Sequence, residues 1–198
     1  MQVIMEISED LFIALDLIAS FFGLIYILLA TKQNNWCWPA AIISSSVYVF
    51  VFFFSKLYFD AILNLYYVAM AFYGLYNWNK ISNTKETQVS FSSKKFTSIW
   101  ITICAITSIA LGYFAQKFTD AEFAYADAFT TIFSFYATWL ITQKRIDNWL
   151  FWIIINVVAI FMYYLKGLNF TVGLFAVYLA FAVYGYYSWR NEYLTSKA

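Results

Sequence analysis

Histidine is missing from this chain of 198 residues. Its absence removes Ser-His and Cys-His nucleophilic pairs, together with the HExxH zinc site of intramembrane metalloproteases. No GxxxxGK[ST] stretch occurs, so the chain cannot itself power a process with ATP. Cysteine is nearly absent too: Cys37 and Cys104 have no metal-type spacing, and Cys104 is expected inside a span, so no disulfide framework is implied. No lysine falls in residues 171–189, which excludes a retinal photoreceptor built on the last helix. No catalytic residue, metal site or cofactor is expected, and the chain does not read as an enzyme. Charge is scarce as well, at 12% against 63% hydrophobic residues, with mean hydropathy +0.67. Soluble domains are nearer half apolar and a quarter charged, so a bilayer is the expected surrounding. The formal charge of +1 says nothing about partners, and no nucleic acid is expected.

What is present is a series of long apolar runs. Residues 17–31, 61–79, 96–116, 128–143 and 148–165 are free of acidic and basic side chains or nearly so, and each approaches the roughly 20 residues that a span needs. The expected class is an all-α integral membrane protein with seven transmembrane helices, at 11–30, 38–55, 60–79, 96–115, 125–142, 149–165 and 171–190. The N-terminus "MQVIMEISED" is acidic where the n-region of a signal is basic, so the first span is expected to stay in the protein.

The chain repeats itself. Asp16 falls on Asp127, "TKQ" at 31–33 on "TQK" at 142–144, and "YGLYNW" at 73–78 on "YGYYSW" at 184–189, each at an offset of 111 residues (127 − 16). The tryptophans fit after a two-residue slip, "NWCW" at 35–38 against "NWLFW" at 148–152. This predicts a three-helix repeat at 11–79, a loop plus inverter helix at 80–124, and a second repeat at 125–190. Four helices separate the starts of the two copies, an even number, so both run in the same sense across the membrane. SWEET sugar transporters share this 3+1+3 parallel plan, in which substrate lies near the midplane between the halves.

Basic residues set orientation. Three (Lys56, Lys117 and Lys166) fall on the side of the N-terminus. Nine fall on the other: Lys32, Lys80, Lys85, Lys94, Lys95, Lys144, Arg145, Arg190 and Lys197. The N-terminus is therefore expected outside and the C-terminus in the cytoplasm. The polar linker "KISNTKETQVSFSSKK" at 80–95 reads as a flexible tether.

Trp149, Trp152 and Asn156 are spaced to share one helix face. An amide inside a span is costly unless it meets a partner or a wet cavity, and indole faces attract cations. The stripe suits a planar cationic ring with hydrogen-bonding edges; the alternative is an aromatic belt with Asn156 joining helices. Asp60, Asn64 and Tyr67 line another helix face, with Tyr178 at the counterpart of Tyr67 and Phe175 at that of Asn64. Asp60 is alternatively a helix N-cap. Asp16 and Asp127, near equivalent helix ends, read as structural. Trp36 and Trp38 answer to the second tryptophan pair, and Ser45, within Ser44–Ser46, falls where Asn156 does, with back-bonding to its own helix as the alternative.

"NWCWP" at 35–39, "KLYFDAILNLYYVAMAFYGLYNW" at 56–78 and above all "KRIDNWLFWIIIN" at 144–156 resemble the Pnu vitamin transporter family, whose signature is W-x-x-W-x-x-x-N. The resemblance covers about residues 11–190. It implies that Trp149, Trp152 and Asn156 touch substrate, with Asn64, Tyr67, Trp36, Trp38, Ser45 and Tyr178 as further candidates. It also implies a facilitator, a homotrimer in the bacterial cytoplasmic (inner) membrane, that equilibrates a vitamin which a cytoplasmic kinase then traps. Nicotinamide riboside is the first expectation and thiamine the second, because Asn64 stands where many nicotinamide riboside members have Gln. A SWEET-like sugar carrier is a more remote alternative.

Overall fold

The computed structural model describes residues 9–55, 58–82, 89–119 and 122–197, and among these most of the chain is helical. Seven helices follow in order: α1 (Glu9–Thr31), α2 (Cys37–Phe54), α3 (Tyr58–Ser82), α4 (Lys94–Phe118), α5 (Ala124–Thr142), α6 (Asn148–Leu165) and α7 (Asn169–Thr195). Each covers an expected segment, and the largest boundary difference is at the end of α7. Five of them, α1, α2, α4, α6 and α7, are long and apolar enough to cross a membrane. The other two, α3 with 25 residues and α5 with 19, are long enough, but tyrosine, tryptophan, amide and hydroxyl side chains lower their hydropathy. α5 can hold Ser134, Thr138 and Thr142 because all three are buried. Polar groups at membrane depth are tolerated where protein surrounds them.

Backbone contacts divide the chain into two compact units, Met1–Tyr76 and Asn77–Ala198, so the last turn of α3 belongs to the second. In the first unit α1 packs on α2. In the second, α5 packs on α4 and α6, and α6 on α7. The core of the second unit is Cys104, Phe133, Tyr136, Ala137, Leu140, Phe151 and Ile155.

The internal repeat reappears in the hydrogen bonds. α1 ends with Asn34 N–H donating to Leu29 O (3.0 Å) and Gln33 N–H to Ala30 O (3.0 Å), and Gln33 is left-handed at φ 53°. α5 ends with Arg145 N–H donating to Leu140 O (3.0 Å) and Lys144 N–H to Ile141 O (3.0 Å), with Lys144 at φ 51°. Both are helix-ending turns that satisfy otherwise orphaned carbonyls. The next bonds match as well: Cys37 N–H to Asn34 O answers Asn148 N–H to Arg145 O, and Trp38 N–H to Asn35 O answers Trp149 N–H to Ile146 O. Every pair is 111 residues apart, so the two-residue slip is unnecessary. Trp38, not Trp36, is the counterpart of Trp149, and Ser45 is the counterpart of Asn156.

The linker also departs from expectation. Residues 83–88 lie outside the described residues, but 89–93 are docked rather than a free tether. Ser90 N–H donates to Lys144 O (3.2 Å), Ile146 N–H to Ser90 O (2.9 Å), and Ser92 N–H to Asp147 Oδ1 (2.8 Å). Val89 is buried, and Phe91 meets Tyr193 edge to face with centroids 5.5 Å apart. Ser93 then caps α4, its hydroxyl accepting from Phe96 N–H.

Candidate functional site

Each unit seats one tryptophan on one glycine. A methyl placed on Gly185 of α7 would meet Trp149 Cε2 at 2.6 Å, and one on Gly74 of α3 would meet Trp38 Cζ2 at 2.5 Å. Glycine is needed at these positions for close approach rather than for its backbone freedom. Trp149 is 0% exposed and meets Trp189 edge to face, centroids 5.4 Å apart at 89°. Trp189 in turn lies 5.8 Å from Trp78, whose Nε1–H donates to Ile141 O (3.0 Å). Lys144 Nζ sits 4.8 Å from the Trp78 ring centroid, a buried cation over an aromatic face. Trp149 is thus enclosed by protein, and its Nε1–H finds no partner among the described residues.

Further along α6 the stripe changes character. Trp152 is half-buried beside the core cluster of the second unit, and one turn later comes Asn156, which is 3% exposed. No side-chain hydrogen bond of Asn156 is formed among the described residues. Ser45, its counterpart on α2, is likewise buried, with no side-chain hydrogen bond among the described residues. Ser44 beside it does bond, donating to Ala19 O at 2.8 Å. Neither residue has a fully enclosed polar atom, so each keeps some access through which a bound molecule can supply a hydrogen bond.

The remaining candidates divide. Asn64 is buried and its Nδ2 donates to Asp60 O (2.9 Å), leaving the carbonyl oxygen of its amide for other partners. Asp60 lies inside the first turn of α3, so it is not the N-cap of a helix that starts at Tyr58. Tyr67 packs against Tyr66, and Tyr178 meets Phe175 edge to face at 5.9 Å. Trp38 is buried on Gly74. Trp36 is 72% exposed at the start of α2 and is not gathered with the buried residues of its unit. Its counterpart by strict offset is Asp147, which explains why the two residues have unlike surroundings. Asp127 pairs with Lys166 (3.8 Å), the helix-end role expected of it.

Trp78, Trp189 and the two glycines belong to this arrangement although sequence reasoning used them only as repeat markers. For the glycines, the equal spacing from the tryptophans they contact (74 − 38 and 185 − 149, both 36) was the available signal.

A family model described as "Nicotinamide mononucleotide transporter" matches residues 13–191, nearly the whole chain. The chain belongs to the Pnu vitamin transporter family. It is a multi-pass membrane protein and a vitamin transporter, not an enzyme. Among Pnu relatives, the nicotinamide riboside transporter PnuC of Escherichia coli K12 is 22% identical over 205 aligned positions, covering 90% of this chain and 85% of that protein. PnuC of Haemophilus influenzae is 25% identical, with 89% and 79% covered. The riboflavin/roseoflavin transporter RibM of Streptomyces davaonensis is 21% identical, with 88% and 83% covered. A crystal structure of the vitamin B3 transporter PnuC has the same fold, with TM-score 0.71 at 21% identity, covering 90% of this chain and 81% of that one.

Proposed function

We propose that this Pnu protein is a facilitator for nicotinamide riboside, with Trp152 stacking on the nicotinamide ring and Asn156 hydrogen-bonding its polar edge. The observation that carries this reading is Asn156, a buried amide without a side-chain partner among the described residues, one turn beyond a half-buried indole. Ser45, Asn64, Tyr67 and Tyr178 supply further polar groups, while Trp38 and Trp149 act from behind as packed supports. In this reading two repeats, 11–79 and 125–190, are joined through 80–124, and the protein is a homotrimer in the cytoplasmic membrane of a bacterium. A cytoplasmic kinase traps the vitamin after entry.

Thiamine and riboflavin are the second reading. The identity to RibM is about that to the nicotinamide riboside carriers, and all three vitamins present a flat heteroaromatic ring. Calorimetry of the purified protein against the three vitamins separates them. Asn156→Ala should weaken the vitamin that binds by about 5- to 30-fold, the loss of one hydrogen bond of roughly 1–2 kcal/mol. Trp152→Ala should weaken it comparably. Parent-like binding by both folded variants would remove this pocket.

Orientation is tested separately. The excess of basic residues on one side predicts that Lys95→Cys reacts only from the cytoplasm and Thr119→Cys only from outside, in a background lacking Cys37 and Cys104. Both positions are exposed. Reversed labelling overturns the orientation, and labelling of both from one side overturns the number of crossings between them.

A further inference from the structure

The four residues that lead into α6 are held by a segment from elsewhere in the chain. Lys144 O accepts from Ser90 N–H, Ile146 N–H donates to Ser90 O, and Arg145 Nη1 donates to Ser90 Oγ and to Phe91 O. Asp147 Oδ1 accepts from Ser92 N–H at 2.8 Å. Ser90 and Arg145 form a parallel bridge, the one extended pairing among the described residues. The counterpart turn in the first unit has the same backbone bonds, yet Trp36, at the position of Asp147, is 72% exposed where Asp147 is 7% exposed. A covering has been added over one copy of a duplicated turn. The copy it covers starts the helix that carries Trp152 and Asn156.

We infer that residues 89–93 form a strap that fixes the position of α6, and that Asp147 is the positioning residue through which the strap sets affinity for the vitamin. This rests on the assignment of Trp152 and Asn156 as substrate contacts. Their side chains stand on the N-terminal half of α6, at its fifth and ninth residues, and a binding constellation must be held to about half an ångström to act. Trp149, wedged on Gly185, pins one side of the helix start. The strap pins the turn that precedes it. Ser92 donates through its backbone, so the side chain whose loss breaks this bond is that of Asp147. Asp147 Oδ2 has no partner among the described residues, so an amide, which keeps one acceptor oxygen, can stand in for the carboxylate.

The test uses the full-length protein in detergent, with nicotinamide riboside as probe, or thiamine or riboflavin if that is what the parent binds. Asp147→Ala should raise amide hydrogen exchange at Ser92 by about tenfold or more and weaken Kd by roughly five- to tenfold, with the number of sites per chain unchanged. Asp147→Asn should restore both. Arg145→Ala, which removes the contacts to Ser90 Oγ and Phe91 O, should act in the same direction and guards against a folding defect in the first variant. A merely structural role would lower the number of competent sites and leave the Kd of the survivors alone. The inference is overturned if exchange rises while Kd stays within twofold, or if Asp147→Ala leaves the Ser92 amide protected. If Asn156→Ala binds like the parent, the pocket assignment fails instead, and exchange at Ser92 still reports on the strap.

Discussion

Gly185→Ala is expected to lower the thermal midpoint by several degrees, whereas Gly173→Ala, on the same helix, is expected to leave it unchanged or raise it. The added methyl at 185 would sit 2.6–2.7 Å from three atoms of the Trp149 indole. That ring is 0% exposed and braced by Trp189, so it has no flexible end to yield. Overpacking of this kind costs about 1–3 kcal/mol, more than the ~1 kcal/mol that alanine gains over glycine within a helix. At about 2–4 °C per kcal/mol for a chain of this size, the net change is measurable by thermal melting in detergent. A methyl added at Gly173 would meet nothing within 4 Å, so only the helix preference remains there. Gly74→Ala should repeat the loss through Trp38 in the first unit. Equal stability of Gly185→Ala and Gly173→Ala would mean that the tryptophan seat is not rigid.

The second large effect concerns accumulation. In liposomes that lack a kinase, labelled vitamin should equilibrate and stop, whatever sodium or proton gradient is imposed. A tenfold gradient is worth about 1.4 kcal/mol, so a carrier coupled one to one would concentrate its solute up to about tenfold. Coupling needs ionisable or carbonyl-rich sites near the bilayer midplane. The described carboxylates gather at helix ends: Glu9 and Asp10 open α1, Asp60 and Asp127 lie in first turns, Glu122 and Asp147 precede α5 and α6, and Glu192 lies in the last turn of α7, while Asp16 is the eighth of the 23 residues of α1. Uptake above equilibrium, lost when one gradient is collapsed, would sink facilitated diffusion and make Asp16 and Asp127 the first coupling suspects.

Helices were the most legible feature of the sequence, because scarce charge and long apolar runs leave few other arrangements. The repeat was legible too, through "TKQ", "TQK" and the two Tyr-Gly segments, but its alignment at the tryptophans was not. Matching by indole spacing favoured Trp36, whereas the turn's hydrogen bonds pair Trp38 with Trp149. Aromatic composition does not separate a seated tryptophan from a ligand-facing one. What marks Trp149 as seated is Gly185, 36 residues further on (185 − 149), the spacing that also separates Gly74 from Trp38 but that gains its meaning only from the contact in space. The strap was missed for a different reason. Val89 and Phe91 alternate like a strand, but two apolar residues in a polar run are too few to stand out.

The end of α3 has a consequence for the timing of biosynthesis. Asn77 Nδ2 donates to Thr142 O (2.8 Å) and Trp78 Nε1 to Ile141 O (3.0 Å), acceptors that lie 65 and 63 residues later in the chain. A ribosome that has just finished the third helix has not yet made the atoms that satisfy its last turn. Copying a gene segment yields two similar halves, but here the earlier half cannot be completed until the whole of α5 has emerged. The order of synthesis and the order of completion are therefore different, and residues 77 and 78 must wait for the second copy.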